Sequence, residues 1–364
     1  MRKKLGRLGL GLALGAMTFG TSGCSLGYLL QQGQGQVSLL MRREPLDRVI
    51  ADPTLDAETR DRLVLVQEAK AFAESELGLT KSKSYTQLVR LDRDAVSYVV
   101  AGAPKDKLEP HLWWFPIVGH VPYKGYFDKA NAEREKENLE KQGLDAYLRG
   151  VSAFSLLGVV PDPLYSPMLK ASPSGLANVI IHELTHGTTF LAGNPSFNEG
   201  FATFVGDQGA LKFLTARYGA DSAEVKEAEA TARDQARFRA FIDGLSADLR
   251  TLYATRMARE EILARREARF ARAKEELKGL AFETGAYQKL DRLTLNNAYL
   301  VTHLTYHGNM ERFGQVYVRL GGDLRAFVAF FRDRVSKEKD PEAFLEAFLK
   351  AGPSPDGNPA PGSP

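Results

Sequence analysis

His182-Glu183-Leu184-Thr185-His186 is the place in this chain where residue types and spacing prescribe chemistry. On a helix, two histidines four apart lie about 40° from one another, so both imidazoles leave from one side. That arrangement suits two neighbouring corners of a tetrahedral Zn²⁺. Glu183, beside the first histidine, can reach a water at such an ion without binding the ion itself. A catalytic zinc takes a third protein ligand and keeps a fourth position open. One large class of zinc peptidases places a third histidine six residues after the second, and that position is Ala192. The third ligand is therefore sought on the next element, where Asn198-Glu199-Gly200 offers Glu199. Asp207, two turns further on, is the second choice. The plainer alternative is a solvated helix face with two incidental histidines. Apolar flanks at Val179, Ile180, Ile181, Leu184, Phe190 and Leu191 speak against it.

Holding these groups together needs two helices. Gly193-Asn194-Pro195 ends the first, and Asn198-Glu199-Gly200 opens a second that continues through FATFVGDQGALKFL. A loop this short forces antiparallel packing and returns Glu199 to the level of the histidines. Gly200 and Gly206 permit the two backbones to approach closely. Upstream, residues 151–160 (VSAFSLLGVV) predict a strand that stops at Pro161-Asp162-Pro163. It is a candidate edge for an extended peptide, or else an ordinary core strand.

The remaining pattern is α+β and predominantly helical, with a small β-sheet. Residues 27–78 are helical in period, as a short helix over 35–50 and a longer amphipathic one over 55–77, separated at Asp52-Pro53. Residues 85–91 and 96–101, joined at Asp92-Arg93-Asp94, predict a β-hairpin. Residues 111–127 are turn-rich and aromatic. Trp113, Trp114 and Phe115 there are core candidates, with a wall facing substrate or membrane as the alternative. His111 and His120 are expected to be structural. Residues 129–142 form a charged surface helix, and 221–280 a long solvated helical hairpin. A further helix carries His303, Tyr306 and His307. The two histidines repeat the four-residue spacing but lack the intervening glutamate, which argues against a second zinc pair. Tyr306, or else His307, could stabilise an oxyanion, with a plain polar helix face as the alternative.

Composition narrows the setting. The 364 residues are 44% hydrophobic and 26% charged, ordinary for a globular chain. Arg2, Lys3, Lys4 and Arg7 precede an apolar run that ends at Thr21-Ser22-Gly23-Cys24, a secretory signal over 1–23. Without it the chain has 44 basic against 45 acidic residues, a net charge of −1, so no nucleic-acid partner is implied. Cys24 is the sole cysteine, which excludes an intrachain disulfide and makes it the candidate lipidated residue. The signal resembles that of bacterial lipoproteins, which implies a cell-envelope protein anchored through Cys24. Ser25 after it implies the periplasmic face of the outer membrane. An uncleaved signal anchor is the alternative. The mature domain is expected over 24–351, followed by a Pro/Gly/Ser-rich disordered tail over 352–364.

The segments SYTQLVRL, WWFPIVGHVPYKGYFD, FSLLGVVPDPLYS, IIHELTHGTTF, FNEGFATFVG and LNNAYL with TYH resemble the bacterial predicted-aminopeptidase family. These are lipoprotein-like, gluzincin-type zinc metallopeptidases, and the likeness runs from about residue 29 to 330. It implies a zincin-like core, a peptide substrate, Zn²⁺ as cofactor, His182, His186 and Glu199 as its ligands, and Glu183 as the catalytic glutamate. Asn296, Asn297 and Tyr306 match a family block to which no role is attached. Departures stand out. The twelve residues between His186 and Glu199 make a short gap for a gluzincin, and Thr203 occupies the place where a supporting carboxylate often stands. No G-x-M-x-N element for anchoring an α-amine is present. The rival expectation is a non-catalytic envelope lipoprotein with a structural or vestigial zinc site. Nothing in the composition specifies an oligomeric state.

Overall fold

The structure is a computed structural model that describes residues 28, 39, 41–115, 119–152, 160–288 and 290–351. Its centre is a pair of helices, α4 (Pro173–His186) and α5 (Pro195–Tyr218), numbered here in chain order. Ser172 caps α4, its side chain accepting from the Gly175 amide at 3.2 Å, and Pro173 supplies the preset first turn. Pro195 opens α5 in the same way. The two pack antiparallel and close, as the glycines foretell. A Cβ at Gly206 would lie 3.2 Å from the Asn178 carbonyl and 3.3 Å from the His182 Cβ. A Cβ at Gly209 would lie 2.9 Å from Leu77 and 3.0 Å from Ile181.

Around this pair the main core forms. The long helix α2 (Ala57–Ser75) covers one side with Leu63, Val66, Ala69 and Ala73. On the other side α9 (Met310–Arg319) and α10 (Leu324–Asp333) wall in the aromatic side chains of α5, and α11 (Pro341–Lys350) packs against α9 and on Phe330 of α10. Phe201 stacks on Phe331 at 4.5 Å between ring centroids, and Phe313 and Phe327 close the cluster. Fully burying one such ring is worth about 2–3 kcal/mol, so this cluster fixes the axial position of α5. A second core joins α6 (Ala223–Tyr253), α7 (Arg259–Lys278) and α8 (Asn297–His307) through Phe238, Ile242, Leu249, Phe270, Ala273 and Leu300. The helical hairpin is thus present, and its bend falls at 254–258. The charged helix α3 (Lys129–Lys141) lies where its composition places it.

The strands form three small sheets. In one, β1 (Arg43–Pro45) pairs antiparallel with β2 (Gln87–Val89), which pairs parallel with β8 (Leu164–Tyr165). In another, β3 (Ser97–Ala103) lies between β6 (Lys124–Tyr126) and β7 (Asp145–Val151). The third is the ribbon of β4 (Trp113–Phe115) and β5 (Gly119–Val121). The architecture is accordingly α+β and predominantly helical.

Three expectations are corrected. The hairpin over 85–101 does not form, because β2 and β3 belong to different sheets. Arg93 in the would-be turn donates to the carbonyls of Phe127 and Val96 at 2.7 and 2.8 Å and turns the chain aside. β3 then takes the interior place in its sheet, which the alternation of a hairpin strand does not specify. In the expected first helix, residues 43–45 are strand β1, and the helix α1 (Leu46–Ile50) starts only after Pro45. Of the aromatic trio, Trp113 is core but Trp114 is 51% exposed, since neighbours on a strand point to opposite faces. Much of the predicted strand over 151–160 (residues 153–159), the signal with Cys24, and the tail from 352 lie outside the described residues. No helix among the described residues is long and apolar enough to cross a membrane.

Candidate metal centre

His182 and His186 leave α4 on one side with their Nε2 atoms 3.2 Å apart. The Glu199 Oε2 lies 3.4 Å from the first and 3.7 Å from the second. Ligand bonds of about 2.0–2.1 Å at tetrahedral angles would set donors about 3.3 Å apart, so these three atoms fit one small cation. Among the described residues this is the only group of three or more His, Cys, Asp or Glu close enough to hold one. All three side chains are largely withdrawn from water. Asp207, the second choice for the third ligand, is instead occupied: Asn178 donates to its carboxylate at 2.7 Å.

Glu199 reaches this point because the loop before it is clamped. Asn198, 3% exposed, accepts from the Leu191 amide and donates to the Leu191 carbonyl, both at 2.8 Å. A side-chain amide satisfying both backbone groups of one residue acts as a strand partner would, and it sets the register between the two helices. The sequence marks Asn198 as the start of a helix. The structure places it in the first turn, which begins at Pro195.

The electrostatics are those of a compact mixed cluster. Burial alone would raise the Glu199 carboxyl, but the two imidazoles more than offset it and hold it well below the ordinary carboxylate range. The same contact works in reverse on His186: burial opposes the charged ring, and the Glu199 and Glu183 carboxylates outweigh it and raise its pKa. Glu183 is raised above the ordinary range, mainly by burial, against the two neighbouring imidazoles. A carboxylate of heightened basicity beside a cation site is a suitable proton acceptor. His186 Nδ1 is buried and has no protein acceptor, so the orienting contact usual for a metal-bound imidazole is absent among the described residues, and Thr203 is simply buried.

Tyr306 comes to the site from α8. Its ring lies over that of His182 at 6.5 Å with an interplanar angle of 27°. The Asn296-Asn297 pair explains how. Asn296 caps α8 and donates to the Ala146 carbonyl of β7 at 3.0 Å. Asn297 donates to the Pro104 and Lys107 carbonyls, and its own amide donates to Asp145 at 2.8 Å. These bonds fix the angle at which α8 carries Tyr306 inward. His303 and His307 lie on the same helix with rings 4.4 Å apart, and burial depresses them to about 3 and about 4. No carboxylate completes a second cluster there among the described residues.

Other residues near the centre received no role from the sequence, although Tyr85 and Tyr123 fall within the family-like segments. Arg149 on β7 donates to the Tyr306 hydroxyl at 3.0 Å. Tyr123 is 37% exposed as a residue, yet its phenol is pushed up to about 12 by desolvation within the site and by the Glu199 and Glu183 carboxylates. Tyr85 is fully buried with φ +59°, its hydroxyl has no hydrogen-bond partner among the described residues, and the Glu183 charge acts on it. A bulky residue in left-handed backbone costs about 1 kcal/mol or more and is retained where the surroundings dictate it. Between α5 and α6 lies a cavity of about 500 Å³ lined by Asp207 and Arg239, among others, and reached by Asn178 of α4 and His307 of α8.

No curated protein and no solved structure matches this chain. A family described as "putative aminopeptidase" matches residues 27–343, nearly the whole length, and the chain belongs to that peptidase family.

Proposed function

We propose that this chain is a zinc-dependent metallopeptidase anchored to the bacterial cell envelope, and by family an aminopeptidase. The observation that carries the proposal is the convergence of His182, His186 and Glu199 at tetrahedral donor spacing with Glu183 beside them. These three residues would hold the ion. When bound there, zinc supplies Lewis acidity toward the scissile carbonyl and the attacking water. Glu183 takes the proton from that water and hands it to the leaving amine. Tyr306 donates a hydrogen bond to the oxygen on which negative charge develops. β7 is an edge strand among the described residues, and beyond Ala146, whose carbonyl Asn296 takes, its outer side can pair with an extended peptide. The 500 Å³ cavity one turn from His182 has the size of a small-ligand pocket and can take a substrate side chain. Cys24, four residues before Tyr28, would carry the lipid and set the protein on the periplasmic face of the outer membrane.

A structural zinc site in a non-catalytic lipoprotein would have four protein ligands. The described residues offer three. Digestion of a peptide library by purified protein, with and without chelator, tests the proposal. Chelator-sensitive loss of N-terminal residues is the expected result. Internal cuts would retain the metallopeptidase and discard the aminopeptidase, and no cleavage would favour the non-catalytic lipoprotein.

A further inference from the structure

We propose that Arg149 is a positioning residue that fixes the Tyr306 hydroxyl as a hydrogen-bond donor toward the candidate metal centre; the inference rests on the metallopeptidase reading above. Guanidinium has five N–H donors and no acceptor. In the 3.0 Å contact between Arg149 Nη2 and Tyr306 Oη, the phenol oxygen must therefore accept. A phenol O–H prefers the plane of its ring, so the hydroxyl proton has two favoured directions. Arg149 occupies a lone pair of that oxygen, so the hydroxyl proton is turned away from the guanidinium. A tyrosine without this neighbour could accept or donate. With it, the hydroxyl is committed to donating before substrate arrives, and an oxyanion needs a donor set in advance.

Three further observations bear on this role. Arg149 pairs with no carboxylate among the described residues, although its Nε is buried and lacks a protein partner. An arginine placed for stability alone would be expected to meet an acid, as Arg266 meets Asp145 in the adjoining network. Its guanidinium also lies 5.2 Å from the Tyr306 ring centroid, so the ring and the hydroxyl are held by one group. Finally, the cavity that Arg149 lines with Tyr123, Tyr306 and Thr305 measures about 20 Å³. That admits one water, which can satisfy Nε, and is too small for a substrate carboxylate. An anion-binding subsite at Arg149 is thereby disfavoured relative to a role exerted through Tyr306.

A double-mutant cycle tests the proposal on full-length protein. Wild type, Arg149→Met, Tyr306→Phe and the double variant are compared for kcat and KM on a peptide chosen from the library digestion. The same proteins are compared for bound zinc and for calorimetric affinity toward a zinc-directed phosphonate peptide. Tyr306→Phe should lower kcat about 100-fold. Arg149→Met should lower kcat about 10-fold, with KM and zinc content unchanged, and weaken the phosphonate by a similar factor. In the Tyr306→Phe background the same Arg149→Met change should cost no more than about twofold in either readout. Arg149→Lys, which retains a donor, should recover most of the loss, and it decides the matter should Arg149→Met fail to fold. Equal effects of Arg149→Met in both backgrounds, a rise in KM alone, or a lysine variant as impaired as the methionine one would overturn the role of Arg149. Wild-type protein that binds neither zinc nor the phosphonate would overturn the metallopeptidase reading instead.

Discussion

Three donor atoms within 3.7 Å of one another decide what this site can do, and Asn198 decides whether they meet. Asn198→Ala removes both hydrogen bonds to Leu191 and leaves its buried amide unpaired, while the carbonyl keeps the Asn194 amide at 3.2 Å, at a cost of about 1–3 kcal/mol before relaxation. The variant should melt several degrees lower and bind zinc about 10–100-fold more weakly, as is typical when support for a ligand is lost. Competition against a colorimetric chelator measures the affinity, and undiminished zinc binding would show that Glu199 is held by other means. At this scale the sequence was informative where spacing along one helix carries the information. His182, Glu183 and His186 needed only the geometry of α4. Arg149 was invisible because its partner is 157 residues away, and no local pattern couples a strand arginine to a helix tyrosine.

The α4/α5 pair is the element that makes the centre possible, and its closeness depends on glycine. At Gly209 an alanine would gain about 1 kcal/mol of helix propensity. The added Cβ would meet Leu77 at 2.9 Å and the β-branched Ile181 at 3.0 Å, an overpacking cost of about 1–3 kcal/mol. The steric cost is expected to win, so Gly209→Ala should lower stability by about 1 kcal/mol in urea denaturation. Gly206→Ala presses on Asn178 and His182 instead, and should weaken zinc binding as well as stability. A Gly209→Ala variant more stable than wild type would mean that Leu77 swings aside at no cost. Helices and their order were largely legible from apolar period and from the Gly193-Asn194-Pro195 stop. The sheets were not, because strands of two to seven residues take their partners from anywhere in the chain. Thus β2 pairs with β1 and β8, and the adjacent β3 with β6 and β7.

On the scale of the whole molecule, two helical cores meet around α8, and the histidines there carry a pH dependence. Burial depresses His303 to about 3 and His307 to about 4, below the ordinary value near 6.5. The unfolded chain then binds more protons than the folded one between about pH 4 and 6.5. Stability therefore rises with pH across that window and falls as pH drops through it. Between pH 7 and pH 5 the loss should be about 1–2 kcal/mol per histidine, read from urea titrations at the two values. A His303→Asn, His307→Gln variant should show a shallower slope, and an unchanged slope would assign the acid sensitivity elsewhere. Overall composition revealed none of this, since burial on α8 depends on the packing of Phe238 and Tyr299 against His303.

The central claim, one zinc ion held by residues from both helices, is tested most directly by metal content. Elemental analysis of purified wild type, Glu183→Gln and Glu199→Ala should give about one zinc per chain in the first two and little in the third. A Glu199→Ala protein that keeps a full equivalent would contradict the account.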